Sequence, residues 1–76
     1  MSIVSEARKM MVKDLKKYMN GNCCDLDTFF NALVKVFPIT ALEHSVIEMT
    51  EDMVEKGIVK IKEDTVCITE EYRNIK

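Results

Sequence analysis

Glycine, proline and cysteine are all scarce in this chain, and tryptophan is absent: two glycines, one proline and three cysteines in 76 residues. Two glycines are too few for a glycine-rich phosphate cradle, and the single histidine, His44, gives a nucleophilic pair little to stand on. No enzyme activity is expected. No apolar run approaches the ~18–20 residues that span a bilayer, so no membrane partner is expected. The start, Met1-Ser2-Ile3-Val4-Ser5-Glu6, lacks the basic cluster and apolar block of a signal peptide, and a cytoplasmic location follows as an expectation.

The cysteines are odd in number and two are adjacent. Cys23, Cys24 and Cys67 therefore read as a poor disulfide framework, which fits a reducing compartment. Adjacent cysteines rarely share one tetrahedral ion, and the usual C-x₂₋₄-C pair is missing, so these three with His44 do not read as a zinc site. No metal or cofactor is expected. Cys23 and Cys24 read as small buried hydrophobes, and Cys67 as a partly exposed thiol.

What the chain does have is a hydrophobic content of 47% with 32% charged residues, the balance of one folded domain. The net charge of −2 hides an uneven distribution. Residues 1–20 carry five bases and two acids, residues 21–55 carry Lys35 against seven acids, and residues 56–76 carry five bases and four acids. The middle is acidic and the ends are mildly basic.

Hydrophobic spacing predicts a first helix over about 2–19, with Val4, Ala7, Met11, Leu15, Tyr18 and Met19 on its core face. Lys9, Lys13, Lys16 and Lys17 fall on roughly the opposite face. Gly21 is expected to take the left-handed conformation that ends this helix. After an extended Cys23-Cys24-Asp25-Leu26, Asp27 is a suitable N-cap for a second helix over about 28–36, apolar on most sides through Phe29, Phe30, Leu33, Val34 and Val36. Phe37 continues that apolar run, and Pro38 ends it. Thr40-Ala41-Leu42-Glu43 matches a capping box and predicts a third helix over about 40–56, with Leu42, Val46, Met49 and Met53 inward and Gly57 as its stop. Residues 58–69 then change period. Val59 and Ile61 share one face, Lys60 and Lys62 the other, Glu63-Asp64 makes a turn, and Val66 and Ile68 again share a face. This is a hairpin with one apolar side.

The order helix, helix, short turn, helix, hairpin resembles that of winged helix-turn-helix domains. In detail, Met53-Val54-Glu55-Lys56-Gly57-Ile58-Val59 resembles a recognition helix running into the first wing strand, and Ile68-Thr69-Glu70-Glu71-Tyr72 resembles the exit from the wing. The resemblance covers about residues 25–72. It implies a single mainly helical domain over residues 1–76 with a small β-hairpin, and a role as a small transcription regulator that binds double-stranded DNA. It also implies dimerisation, for which Ile3 and Met10 are candidates.

The charges pull the other way. The outward positions of helix three are Glu43, His44, Ile47, Glu48, Glu51, Val54 and Glu55, and residues 40–56 carry five acids against Lys56. Phosphates are normally met by Lys and Arg, and guanine edges by Arg or Lys, neither of which stands on the first three turns of this helix. DNA contacts would then fall to Lys9, Lys13, Lys16 and Lys17 of helix one and to Lys60 and Lys62 of the wing. The bland reading of both sets is a solvated face. The rival functional reading is a protein-interaction module whose acidic helix three docks on a basic protein surface, with Ile47 and Val54 at its centre.

Overall fold

The structure is a computed structural model and describes residues 6–73. Along the chain come α1 (Glu6–Met19), β1 (Cys23–Asp25), α2 (Leu26–Val36), α3 (Thr40–Glu43), α4 (Val46–Glu55), β2 (Val59–Lys62), β3 (Thr65–Ile68) and α5 (Glu70–Arg73). The chain is thus mostly helical with a small antiparallel sheet of three strands, in the order β1-β3-β2. No helix among the described residues is long and apolar enough to cross a membrane.

The core lies where α1, α2 and α4 meet one face of that sheet. Val12, Leu15 and Met19 come from α1, Phe29, Ala32 and Leu33 from α2, and Met49 and Met53 from α4. Val59, Val66 and Ile68 close it from the sheet, and Tyr72 of α5 plugs the end. Burial of these side chains is the main force holding so short a chain. The face expected for helix one is partly corrected. Ala7 is exposed, Tyr18 is half out with Lys35 Nζ 5.5 Å from its ring centroid, and Val12 takes the buried place. Val4 lies outside the described residues, as do positions 2–5 of the expected helix.

Helix ends explain most of the remaining differences. At the end of α1 both Asn20, φ +62°, and Gly21, φ +131°, have positive φ, so Gly21 turns the chain as expected and Asn20 joins it, while the Gly21 amide donates to the Lys16 carbonyl at 3.2 Å. α2 starts two residues earlier than expected, because Asp25, not Asp27, is its N-cap and accepts the Thr28 amide at 3.3 Å. Val34 faces outward, and Phe30, Val36 and Phe37 are only half-buried.

The single helix expected over 40–56 is two helices. The Thr40–Glu43 box does not form: Ile39 stands at the N-cap of α3 without a side-chain bond. The chain breaks at His44, and Ser45 caps α4 in a reciprocal box with Glu48. With this break Ala41 is the side chain of α3 that packs against the core, and Leu42, expected inward, is 86% exposed. Gly57, φ +74°, ends α4 as expected. Its amide bonds the Val54 carbonyl and the Ile58 amide bonds the Met53 carbonyl, both at 3.0 Å, a pairing that needs positive φ at residue 57.

The hairpin keeps its expected phase at Val59, Val66 and Ile68, all buried. Ile61, paired with Val66 one step from the turn, is 41% exposed, so the apolar face thins toward the tip. The sheet has a strand more than a hairpin, because β1 pairs with β3 through Cys23↔Cys67, Cys24↔Val66 and Asp25↔Thr65. α5 was not expected either. Thr69 Oγ1 donates to the Gly57 carbonyl at 2.7 Å, and Arg73 Nε donates to the Ile68 carbonyl at 2.9 Å, which folds this segment back on the sheet.

Cys23 and Cys67 form a disulfide, with Cα atoms 4.1 Å apart. This corrects four readings at once. The odd count conceals one bridge and one free thiol, Cys24; Cys67 is half of the bridge rather than a thiol; Cys23 is exposed rather than buried; and the cysteine count no longer supports a reducing compartment.

Candidate functional site

α4 carries four acids, Glu48, Glu51, Asp52 and Glu55, and no base. Met49, Thr50 and Met53 turn inward, which by helical periodicity leaves Ile47, Glu48, Glu51, Val54 and Glu55 on the outer face. All five are exposed, with Ile47 at 59% and Val54 at 43%. Two apolar side chains thus sit among three carboxylates. Asp52 at the edge holds Lys56 Nζ at 2.9 Å, so that base is already paired.

The Ser45–Glu48 box fixes the start of the face. The Glu48 amide donates to Ser45 Oγ at 3.1 Å, and the Ser45 amide donates to Glu48 Oε1 at 3.3 Å. That backbone donor, helped by the Ser45 hydroxyl, holds the Glu48 carboxyl below its ordinary acidity range, so the face keeps this charge into mild acid. His44 Nδ1 stands 3.8 Å from Glu48 Oε2. Glu43 and His44 are exposed as expected, but they belong to α3 and its end rather than to the α4 face.

Sequence reasoning missed the apolar side chains just before this face. Ile39 is 73% exposed and Leu42 86%, the most exposed of the large hydrophobics. A signal was there: Ser45-Val46-Ile47-Glu48 repeats the S/T-x-x-E pattern five residues after Thr40, and a second N-cap demands a break.

The lysines are arranged differently. Lys9, Lys13 and Lys17 are exposed and spaced four apart, a single stripe along α1. Lys9 Nζ lies 3.8 Å from Glu6. Lys16 does not join them: half-buried, it donates to the Arg73 carbonyl at 2.7 Å and ties α1 to α5. Lys60 and Lys62 are exposed on the sheet's outer face, on a different element from the stripe. Met10 is 65% exposed, and Ile3 lies outside the described residues.

An apolar cleft lies between α1 and α4, over Met11, Phe37, Met49 and Met53, with Asp52 and Lys56 at its rim. Its volume, about 200 Å³, falls below the roughly 300–1,000 Å³ of ordinary ligand pockets. Among the described residues no group of three or more His, Cys, Asp or Glu is placed to hold a metal ion. No family model, curated protein or solved structure matches this chain.

Proposed function

We propose that this chain is a winged-helix module that works by docking a basic protein surface on the outer face of α4. The winged-helix reading is supported by the element order, with α2 and α4 joined through the short α3 and followed by the β2–β3 hairpin. The observation that carries the docking reading is the pairing of exposed Ile47 and Val54 with Glu48, Glu51 and Glu55 on a helix without a base. An apolar centre rimmed by charge of one sign is what a complementary protein surface recognises, the apolar pair supplying affinity and the charges orientation and encounter rate. Against duplex DNA the same carboxylates would repel phosphates.

Double-stranded DNA is a second reading, favoured by one observation: Lys60 and Lys62 both stand exposed on the outer face of the hairpin. On that reading Lys9, Lys13 and Lys17 would add phosphate contacts, and α4 would stay away from the duplex. The two readings separate in one experiment. The full chain is titrated with mixed-sequence duplex DNA at about 20 and 150 mM salt, where phosphate-driven binding differs by orders of magnitude. In parallel, a partner captured from cells is reconstituted from purified components and tested against Glu51→Lys/Glu55→Lys. Docking through α4 predicts no duplex binding at either salt and at least tenfold weaker binding of the partner by the double variant. Duplex binding lost on Lys60→Ala/Lys62→Ala would replace the docking reading with the DNA reading.

A further inference from the structure

The Cys23–Cys67 bridge lies on the face of the sheet that turns away from the helices. Val66 and Ile68 are buried, so Cys67 between them points outward, and Cys23, its partner across the strands, points the same way. Cys23 is exposed and Cys67 half-buried. On its other side Cys67 is paired with Lys60 of β2, whose side chain shares that outer face. Cys23 is therefore the more open of the two bridge residues, while Cys67 has the ammonium-bearing Lys60 as its cross-strand neighbour. Cys24 points to the opposite face and is half-buried. Burial, with the Asp25 charge adding to it, pushes its thiol up, which makes it a poor internal competitor near neutral pH.

β1, the strand that this bridge secures, is a three-residue edge strand linking α1 to α2. Beyond its ladder with β3, it is held by the Ile68 amide on the Asn22 carbonyl at 2.7 Å and the Leu26 amide on the Asp64 carbonyl at 3.1 Å. Its shortness and its place at the edge of the sheet put such a segment at the low-stability end of a fold. Exposed disulfides are the ones that open readily to thiols.

We propose that Cys23–Cys67 is a thiol-exchange site, opened by a low-molecular-weight thiol that attacks Cys23 and expels Cys67, and that opening it releases β1 from β3. In the first step a thiolate RS⁻ bonds to Cys23 Sγ. The electron pair of the broken S–S bond leaves on Cys67 Sγ, giving RS–S–Cys23 and a Cys67 thiolate beside Lys60. A second RS⁻ attacks the RS sulfur and frees the Cys23 thiolate. The bridge gains two electrons, two RSH become RSSR, and their two protons end on Cys23 and Cys67. Lys60 favours this direction because a positive neighbour stabilises the leaving thiolate, and a better leaving group departs faster.

The test uses the full oxidised chain and glutathione at pH 7, with acid quench, alkylation and mass mapping of the peptides. Glutathione should appear on Cys23, with Cys67 alkylated, and the opening rate should rise linearly with thiol. Lys60→Gln should slow opening about three- to tenfold through the loss of leaving-group stabilisation, at an unchanged melting temperature. Cys24→Ser should leave the pattern intact. After opening, the amides of residues 23–25 should lose hydrogen-exchange protection before those of the core helices. Glutathione on Cys67 or Cys24 would overturn the proposal. So would a rate that plateaus with thiol concentration, because opening would then wait on unfolding. A Lys60→Gln rate equal to wild type, or unchanged protection at residues 23–25, would overturn it as well.

Discussion

Ser45 and Glu48 cap each other: the Glu48 amide bonds the Ser45 hydroxyl at 3.1 Å while the Glu48 carboxylate takes the Ser45 amide at 3.3 Å. Glu48 is thus both a support of α4 and a charge on its outer face. Replacing it would disturb fold and docking together, so Glu51 and Glu55 are the residues whose reversal tests the face alone.

The cap makes a direct prediction about stability. Ser45→Ala should destabilise the chain by about 1 kcal/mol, the usual cost of a lost N-cap. Thr40→Ala should cost less than about half of that, because Thr40 lies inside α3 and caps nothing. Urea melts of the two variants give the comparison. Equal losses would mean that the 40–43 box forms after all.

Acid should weaken the fold through the same groups. Glu48 is held below its ordinary range by the Ser45 backbone donor, and Asp25 by its bond from Thr28 at the start of α2. A carboxylate whose folded pKa is depressed contributes stability above its unfolded value, and that contribution vanishes as pH falls through the folded value. Melting temperature should therefore be flat from about pH 7 to 5.5 and fall below about pH 4. In Asp25→Asn/Glu48→Gln the acid fall should be shallower. An identical fall in the variant would place the titrating groups elsewhere.

Much of this fold can be read from the chain, and the exceptions share a cause. Val59, Val66 and Ile68 alternate because a strand has a period of two, and Met49 and Met53 recur because a helix turns in 3.6 residues; such patterns are local and visible. What stayed hidden depends on partners distant in sequence. The extended backbone at Cys23–Asp25 was expected, but its place in the sheet was not, because a three-residue run does not show that β3 lies beside it. The Cys23–Cys67 bridge follows from that pairing across 44 residues, which no counting of cysteines reveals. Leu42 is a different case. Two S/T-x-x-E patterns five residues apart compete, and it is the second that forms the reciprocal box and starts a new helix. For the candidate face, Ile47, Glu48, Glu51, Val54 and Glu55 were legible from helical phase alone. The diversion of Lys16 to the Arg73 carbonyl was not.

The bridge should matter for stability because it closes a long loop. Cys67→Ser should cost about 2–4 kcal/mol, lowering the melting temperature by roughly 10–20 °C for a domain of this size. Saturating reductant should bring the wild type to the same value, and Cys24→Ser should change little. A wild type indifferent to reductant would contradict the bridge.

The register of the hairpin is testable by charge. Val66→Asp buries an unpaired carboxylate within the core cluster and should unfold the chain. Ile61→Asp, at a position 41% exposed, should be tolerated. Circular dichroism of both variants decides it; a folded Val66→Asp would mean that residue 66 does not face the core.

The most direct test of the docking claim is site-specific photo-crosslinking in the cells that make the protein. A crosslinking side chain is placed at Ile47 in one variant and at Lys60 in another, on the outer faces of α4 and of the hairpin. The expected result is a discrete protein adduct from position 47, basic in composition, lost on Glu51→Lys/Glu55→Lys and reproduced with the purified partner, with none from position 60. Adducts to DNA from position 60, with position 47 silent, would contradict the claim and make the lysines of the hairpin the working surface.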